Sequence, residues 1–225
     1  MCAIIGAVIL EPKDRHFEML KRVFLESKIR GMHATGLSYV KDGKVHTEKL
    51  PVPADEFPFR FMDYINEDGN LYLVGHCRYS TSDLEFNQPI ANSDHSIVHN
   101  GVITQELPEK WNSLYNYKCE TKNDSELVLH SDSPLEEFPD ASMAVCELTS
   151  DKKLLFYRNG KRPLYSTMFN EGYVITSTND IPHRAGLEGL TVQVDKDTYF
   201  TVDEHMTLSI QKCATTTKEL QPQYD

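Results

Sequence analysis

From residue 142 onward the chain breaks into six short runs of strand character, at about 142–148, 153–158, 172–177, 191–194, 199–202 and 207–210. Turn residues such as Arg158-Asn-Gly160 separate them. Runs this short cannot form helices of ordinary length, and they pair most simply as antiparallel strands. The first half mixes both periods. Met1–Leu10 is apolar until Glu11-Pro12 ends it, which reads as a buried strand with Gly6 allowing close packing. Asp14 is the expected N-cap of a helix over about 15–29, with Phe17, Leu20, Val23 and Phe24 as its apolar stripe and Arg30-Gly31 as its end. Strands at about 36–40 and 44–49 are joined by Lys41-Asp-Gly-Lys44, a good hairpin turn. A proline-rich loop, Pro51–Pro58, precedes a helix expected at about 59–66. Leu71–His76 and Ser96–His99 read as strands, and Asn123-Asp-Ser-Glu126 resembles a capping box opening a helix to about His130. The order predicts an α+β fold in which two mostly antiparallel sheets pack together with helices outside. One domain is expected over 1–210, followed by a polar tail at 211–225.

Composition narrows the function classes. The net charge of −11 opposes both a nucleic-acid grip and docking on anionic lipid. No apolar run approaches the roughly 20 residues of a membrane span, and the opening run lacks the basic lead-in of a signal peptide. Five widely spaced cysteines (Cys2, Cys77, Cys119, Cys146 and Cys213) contain no C-x-x-C, so neither a disulfide framework nor a zinc motif is indicated. That usage suits a reducing cytoplasm. His95 and His99 share a strand face but stand too far apart to chelate, so no metal is expected.

Cys2 follows the initiator methionine, and a small residue there favours methionine removal. The mature residue would then carry a thiol and a free α-amine, whose ordinary pKa of about 7.7–8.0 lets it accept the thiol proton near neutral pH. The bland alternative is a small buried residue. Asn100-Gly101 has two readings as well: a hairpin turn, or an amide and a backbone N–H aimed at an oxyanion. Asp124, taken alone, reads as a helix cap.

Six further segments bear on these choices, in order along the chain. They are Arg30-Gly-Met-His-Ala-Thr-Gly36, Gly75-His-Cys-Arg-Tyr-Ser-Thr81, Asn87-Gln-Pro89, His99-Asn-Gly101, Asn123-Asp-Ser-Glu126 and Arg158-Asn-Gly-Lys-Arg-Pro-Leu-Tyr165. With the opening Met1-Cys-Ala-Ile-Ile-Gly6, they resemble the class II glutamine amidotransferases. That family of N-terminal nucleophile (Ntn) hydrolases includes amidophosphoribosyltransferase, asparagine synthetase B and glucosamine-6-phosphate synthase. The likeness runs from Cys2 to roughly Asn179.

The resemblance implies a four-layer αββα sandwich and a glutaminase with Cys2 as nucleophile. It assigns the oxyanion to the Asn100 amide and the Gly101 N–H. Arg78 and Thr81 are implied to read the substrate α-carboxylate, Asp124 its ammonium, and Arg30 to hydrogen-bond around the nucleophile; Arg162 is expected to support the fold. L-glutamine is the implied substrate, with no cofactor. The ammonia is expected to pass to a separate synthase subunit, and self-association stays open. Ala3 stands where the family has glycine, His33 where it has aspartate, and Ser82-Asp83 where some relatives have His-Gly. Two other readings stay open: a hydrolase of other γ-glutamyl amides or peptides, whose γ-glutamyl head Arg78 and Asp124 would read as well, and a catalytically silent regulatory subunit, which the departures favour.

Overall fold

The structure, a computed structural model, describes residues 2–79 and 87–213. Thr81 and Ser82-Asp83 lie outside the described residues. Thirteen strands form two sheets: a seven-stranded sheet in the order β11-β9-β10-β1-β4-β2-β3, and a six-stranded sheet in the order β13-β12-β8-β7-β6-β5. The first contains β1 (Ala3–Ile9), β2 (Ala34–Lys41), β3 (Lys44–Leu50), β4 (Leu71–Arg78), β9 (Tyr165–Phe169), β10 (Gly172–Thr176) and β11 (Leu190–Gln193). The second contains β5 (Ile90–Ala91), β6 (His95–Val102), β7 (Ser142–Thr149), β8 (Lys153–Arg158), β12 (Thr198–Val202) and β13 (Leu208–Lys212). Every pairing between these strands is antiparallel.

The unbroken apolarity of β1 follows from its position. Ala3, Ile5, Ala7 and Ile9 face an outer core with helix α1 (Asp14–Ser27), while Ile4 and Val8 face the core between the sheets. Strands of the second sheet divide in the same way. Ala144, Cys146 and Leu148 of β7 meet the first sheet, and Met143 and Val145 meet the helical layer of α2 (Pro108–Tyr115), α3 (Glu126–His130) and α4 (Pro134–Glu137). The result is the expected αββα stacking. A short helix α5 (Asp180–Arg184) packs beside α1, with Ile181 in the same outer core. Among the described residues no helix is long and apolar enough to cross a membrane.

Local chemistry corrects three boundaries. Asp14 is the first residue of α1 rather than its cap; Lys13 occupies that place, and its N–H donates to His16 Nδ1 at 2.9 Å. The helix expected at 59–66 is only a 3-10 turn, Phe61–Tyr64. Phe57, Phe59 and Phe61 drive their rings toward Phe24, and a regular helix would turn some of them to solvent. The 123–126 capping box does not form. Asn123 Oδ1 accepts from Ser125 N at 3.0 Å, and the Glu126 carboxylate turns back to the backbone of Glu120 and Thr121. The Asp42-Gly43 hairpin forms as expected, both residues having positive φ (52° and 66°).

Candidate active site

Strand periodicity brings distant residues to one end of the gap between the sheets. Ile4, Tyr72, Val74 and Val98 face that gap, so the period of two puts Cys2, His76, Arg78 and Asn100 on the same inner faces. Ala3 pairs with Cys77, which sets Cys2 across from Arg78; Arg78 pairs on its other side with Ala34. Two links align the second sheet. Ser96 Oγ donates to Ser38 Oγ at 2.7 Å, and the His76 ring faces the His99 carbonyl. Asn100, one residue beyond His99, therefore lies toward the end that carries Cys2 and Arg78.

Cys2 is half-buried, with Sγ 3.9 Å from the Tyr79 carbonyl oxygen. Arg30 Nε donates to the Cys2 carbonyl at 3.2 Å and fixes the chain just ahead of β1. Burial lowers the Arg30 pKa, opposed by the charges of Asp180 and Cys2. Ala3 takes an ordinary strand conformation and is buried against Cys77's strand, so the methyl group introduces no backbone strain. His33 packs its ring on Tyr79 at 4.9 Å, and its N–H donates to the Arg78 carbonyl at 2.9 Å.

Gln88 joins the pieces. Its Oε1 accepts from His99 N–H at 2.5 Å, and its Nε2 donates to the His99 carbonyl at 3.1 Å and to Ser125 Oγ at 3.0 Å. The preceding residue, Asn87, accepts from Arg78 Nη1 at 2.8 Å. The residue before Ser125 is Asp124, whose Oδ2 accepts from Ile103 N at 2.6 Å and Thr104 N at 3.3 Å. Asn87 and Gln88 thus bond to Arg78 and to the residues that precede Asn100 and follow Asp124. Asn87, Gln88 and Ser125 were visible in the sequence only as motif positions; their supporting role follows from the folded contacts.

The Asn100 Nδ2 is buried and has no hydrogen-bond partner among the described residues. A buried unsatisfied donor costs about 1–3 kcal/mol, and this one is open to a bound acceptor such as a water or a ligand oxygen. The neighbouring Gly101 has φ of 149°, and a Cβ there would lie 1.7 Å from the Ser142 carbonyl oxygen. Only glycine fits this backbone.

The two histidines behind the site are held neutral. Burial, then the Arg78 charge and His99, lowers the His76 pKa to about 3. Burial also lowers His99, against the opposing charge of Asp124; its Nδ1 lies 2.9 Å from Ser125 Oγ. The Arg162 charge is felt at both Arg30 and His99, which places this residue at the rim of the same region.

Two solved structures share this architecture. One is a glutamine phosphoribosylpyrophosphate (PRPP) amidotransferase from B. subtilis complexed with ADP and GMP, with a TM-score of 0.71 and 16% identity over 94% of this chain and 49% of that one. The other is an allosteric regulatory enzyme of purine biosynthesis, with a TM-score of 0.70 and 17% identity over 95% of this chain and 49% of that one. This chain shares its fold with these two proteins. This chain spans about half the length of these two solved proteins. No protein-family model matches it, and no curated protein matches it in sequence.

Proposed function

We propose that the chain hydrolyses the side-chain amide of glutamine, with Cys2 as nucleophile after Met1 is removed. The observation that carries this reading is the buried, unpartnered Asn100 Nδ2, on the β6 residue that follows His99 toward the end where Cys2 and Arg78 stand. The freed α-amine takes the thiol proton, and the thiolate attacks the amide carbon. The oxyanion is met by Asn100 Nδ2 and the Gly101 N–H, fixed donors that need no reorganisation as charge develops. The amine returns the proton to the leaving nitrogen, ammonia departs, and a γ-glutamyl thioester remains on Cys2. Water then adds to the thioester, glutamate leaves, and the thiol is restored.

Arg78 suits the α-carboxylate because a guanidinium can hold it with two parallel bonds. Asp124 suits the ammonium, and Thr81 and Arg30 complete the set of substrate contacts carried by the resemblance. Two opposite charges held apart distinguish a free amino acid from a simple amide. The ammonia goes to an acceptor enzyme on a separate subunit, since free ammonia is mostly protonated at neutral pH and a poor nucleophile. A solved amidotransferase with the same fold supports this assignment of reaction class.

The test is intact-mass analysis of the purified protein before and after treatment with diazo-oxo-norleucine, a glutamine-like electrophile, together with glutaminase assays of wild type and Cys2→Ala. The expected result is a chain lacking Met1, labelled once at Cys2, and a folded Cys2→Ala protein without turnover. Label on another residue, or glutamate release by Cys2→Ala, would end the proposal.

A further inference from the structure

A second set of reactive side chains lies on the other face of the six-stranded sheet. Cys119 sits in the segment between α2 and α3, Glu126 opens α3, and His130 follows one turn later. Cys119 Sγ, a Glu126 carboxylate oxygen and a His130 ring nitrogen all lie within 4.8 Å of one another. His130 Nε2 is already 3.6 Å from Glu126 Oε1.

Glu126 is oriented before any ligand arrives. Its side chain is 5% exposed. Oε1 accepts from Glu120 N at 2.7 Å; Oε2 accepts from Thr121 N at 2.7 Å and Thr121 Oγ1 at 2.6 Å. A carboxylate has about four acceptor positions, so one remains on Oε1, the oxygen nearer His130. The His130 ring is stacked on Tyr117 at 5.6 Å, which limits its rotation. A Glu–His pair four residues apart on a helix is ordinary by itself. The thiol brought within 4.8 Å of the same carboxylate from a separate segment is not.

We propose that Cys119, Glu126 and His130 form a binding site for a thiophilic divalent metal ion of the zinc class, with water as fourth ligand. Thiolate, imidazole and carboxylate together match zinc preference, whereas a magnesium or calcium site needs several oxygen ligands. Zinc bonds of about 2.0–2.3 Å in a tetrahedron put ligand atoms roughly 3.3–3.7 Å apart. The Glu126–His130 separation of 3.6 Å already meets that span, and Cys119, within 4.8 Å of both, needs to close in by at most about an ångström. On binding, the Cys119 S–H bond breaks, the S–metal bond forms, and the proton leaves to solvent. The metal joins residue 119 to α3 and so fastens the intervening turn.

The experiment is cobalt(II) titration of the reduced, chelator-stripped full chain, followed by displacement with zinc. One equivalent of cobalt should give a thiolate-to-cobalt charge-transfer band that zinc abolishes. The band should be absent in Cys119→Ser, present in Cys2→Ala, and shifted to at least ~10-fold weaker binding in His130→Asn. Zinc should raise the melting temperature of wild type and not of Cys119→Ser. The site is ruled out by no stoichiometric band in wild type, by a band that survives in Cys119→Ser, or by one lost in Cys2→Ala.

Discussion

The side-chain amide of Gln88 clamps the backbone of His99 from both directions, accepting from its N–H and donating to its carbonyl. Asn100 and Gly101 follow immediately, so the clamp fixes where their donors point. Three hydrogen bonds of this buried side chain are lost in Gln88→Ala, and at roughly 1 kcal/mol each the expected loss of stability is about 2–3 kcal/mol. Gln88→Glu keeps the acceptor but removes both donations, and should be destabilised comparably. Urea denaturation measures both; a wild-type midpoint in Gln88→Ala would show the clamp contributes nothing.

Arg78 and Asn87 test substrate reading. Arg78→Lys keeps the charge but loses the planar fork. The expected effect is a KM for glutamine higher by about 10–100-fold, the range of one or two charge-assisted hydrogen bonds, with kcat changed less. Asn87→Ala removes the 2.8 Å contact that aims the guanidinium, and should fall between wild type and Arg78→Lys. Steady-state kinetics over glutamine concentration decide it. An unchanged KM in Arg78→Lys would remove this arginine from the carboxylate.

Asn100→Ala should separate activity from stability. Loss of one oxyanion donor lowers kcat by about 10²–10³-fold. Stability should hold or rise, because the substitution removes a buried Nδ2 that makes no bond in the folded protein. By contrast Gly101→Ala should cost ~3 kcal/mol or more, since a methyl group collides with the Ser142 carbonyl at a φ that only glycine favours. Thermal melts and kcat, measured on both variants, give opposite patterns if these assignments hold. A cold-melting Asn100→Ala would mean the amide is structural.

Much of the layer order was legible because strands buried on both faces, such as β1 and β4, read as continuous apolar runs, while β7 and β8 end at recognisable turns. Strand β9 was not, because Ser166 and Thr167 are buried polar residues inside it; Thr167 Oγ1 finds Thr191 Oγ1 at 2.9 Å across the sheet. Helix α2 had a readable signal in Pro108 at its first turn that the apolar pattern did not reinforce. At the site, residue types at Cys2, Arg78, Asn100 and Asp124 were visible in the chain. Their placement toward one end of the two sheets was not, since it depends on the Ala3–Cys77 register and on Gln88 bridging to His99 and Ser125.

His76 predicts an acid weakness of known sign. Its folded pKa of about 3 lies below the ordinary 6.5, so between those values the unfolded chain binds a proton that the folded chain does not. Stability then rises with pH across this window and is lost as pH falls from 6.5 toward 3, at about 1.4 kcal/mol per unit. His99 and His16 shift in the same direction and add to the slope. The carboxylates with lowered pKa values, Asp151 and Asp180 among them, lose their contribution only near and below their ordinary 3.8. The interval from pH 7 to 5 therefore isolates the histidines. Over it, His76→Gln should lose about 2 kcal/mol less than wild type. Urea unfolding of both proteins at the two pH values measures the difference. Equal losses would mean that His76 takes up its proton inside the fold, and that the interior beside Arg78 is wetter than its burial implies.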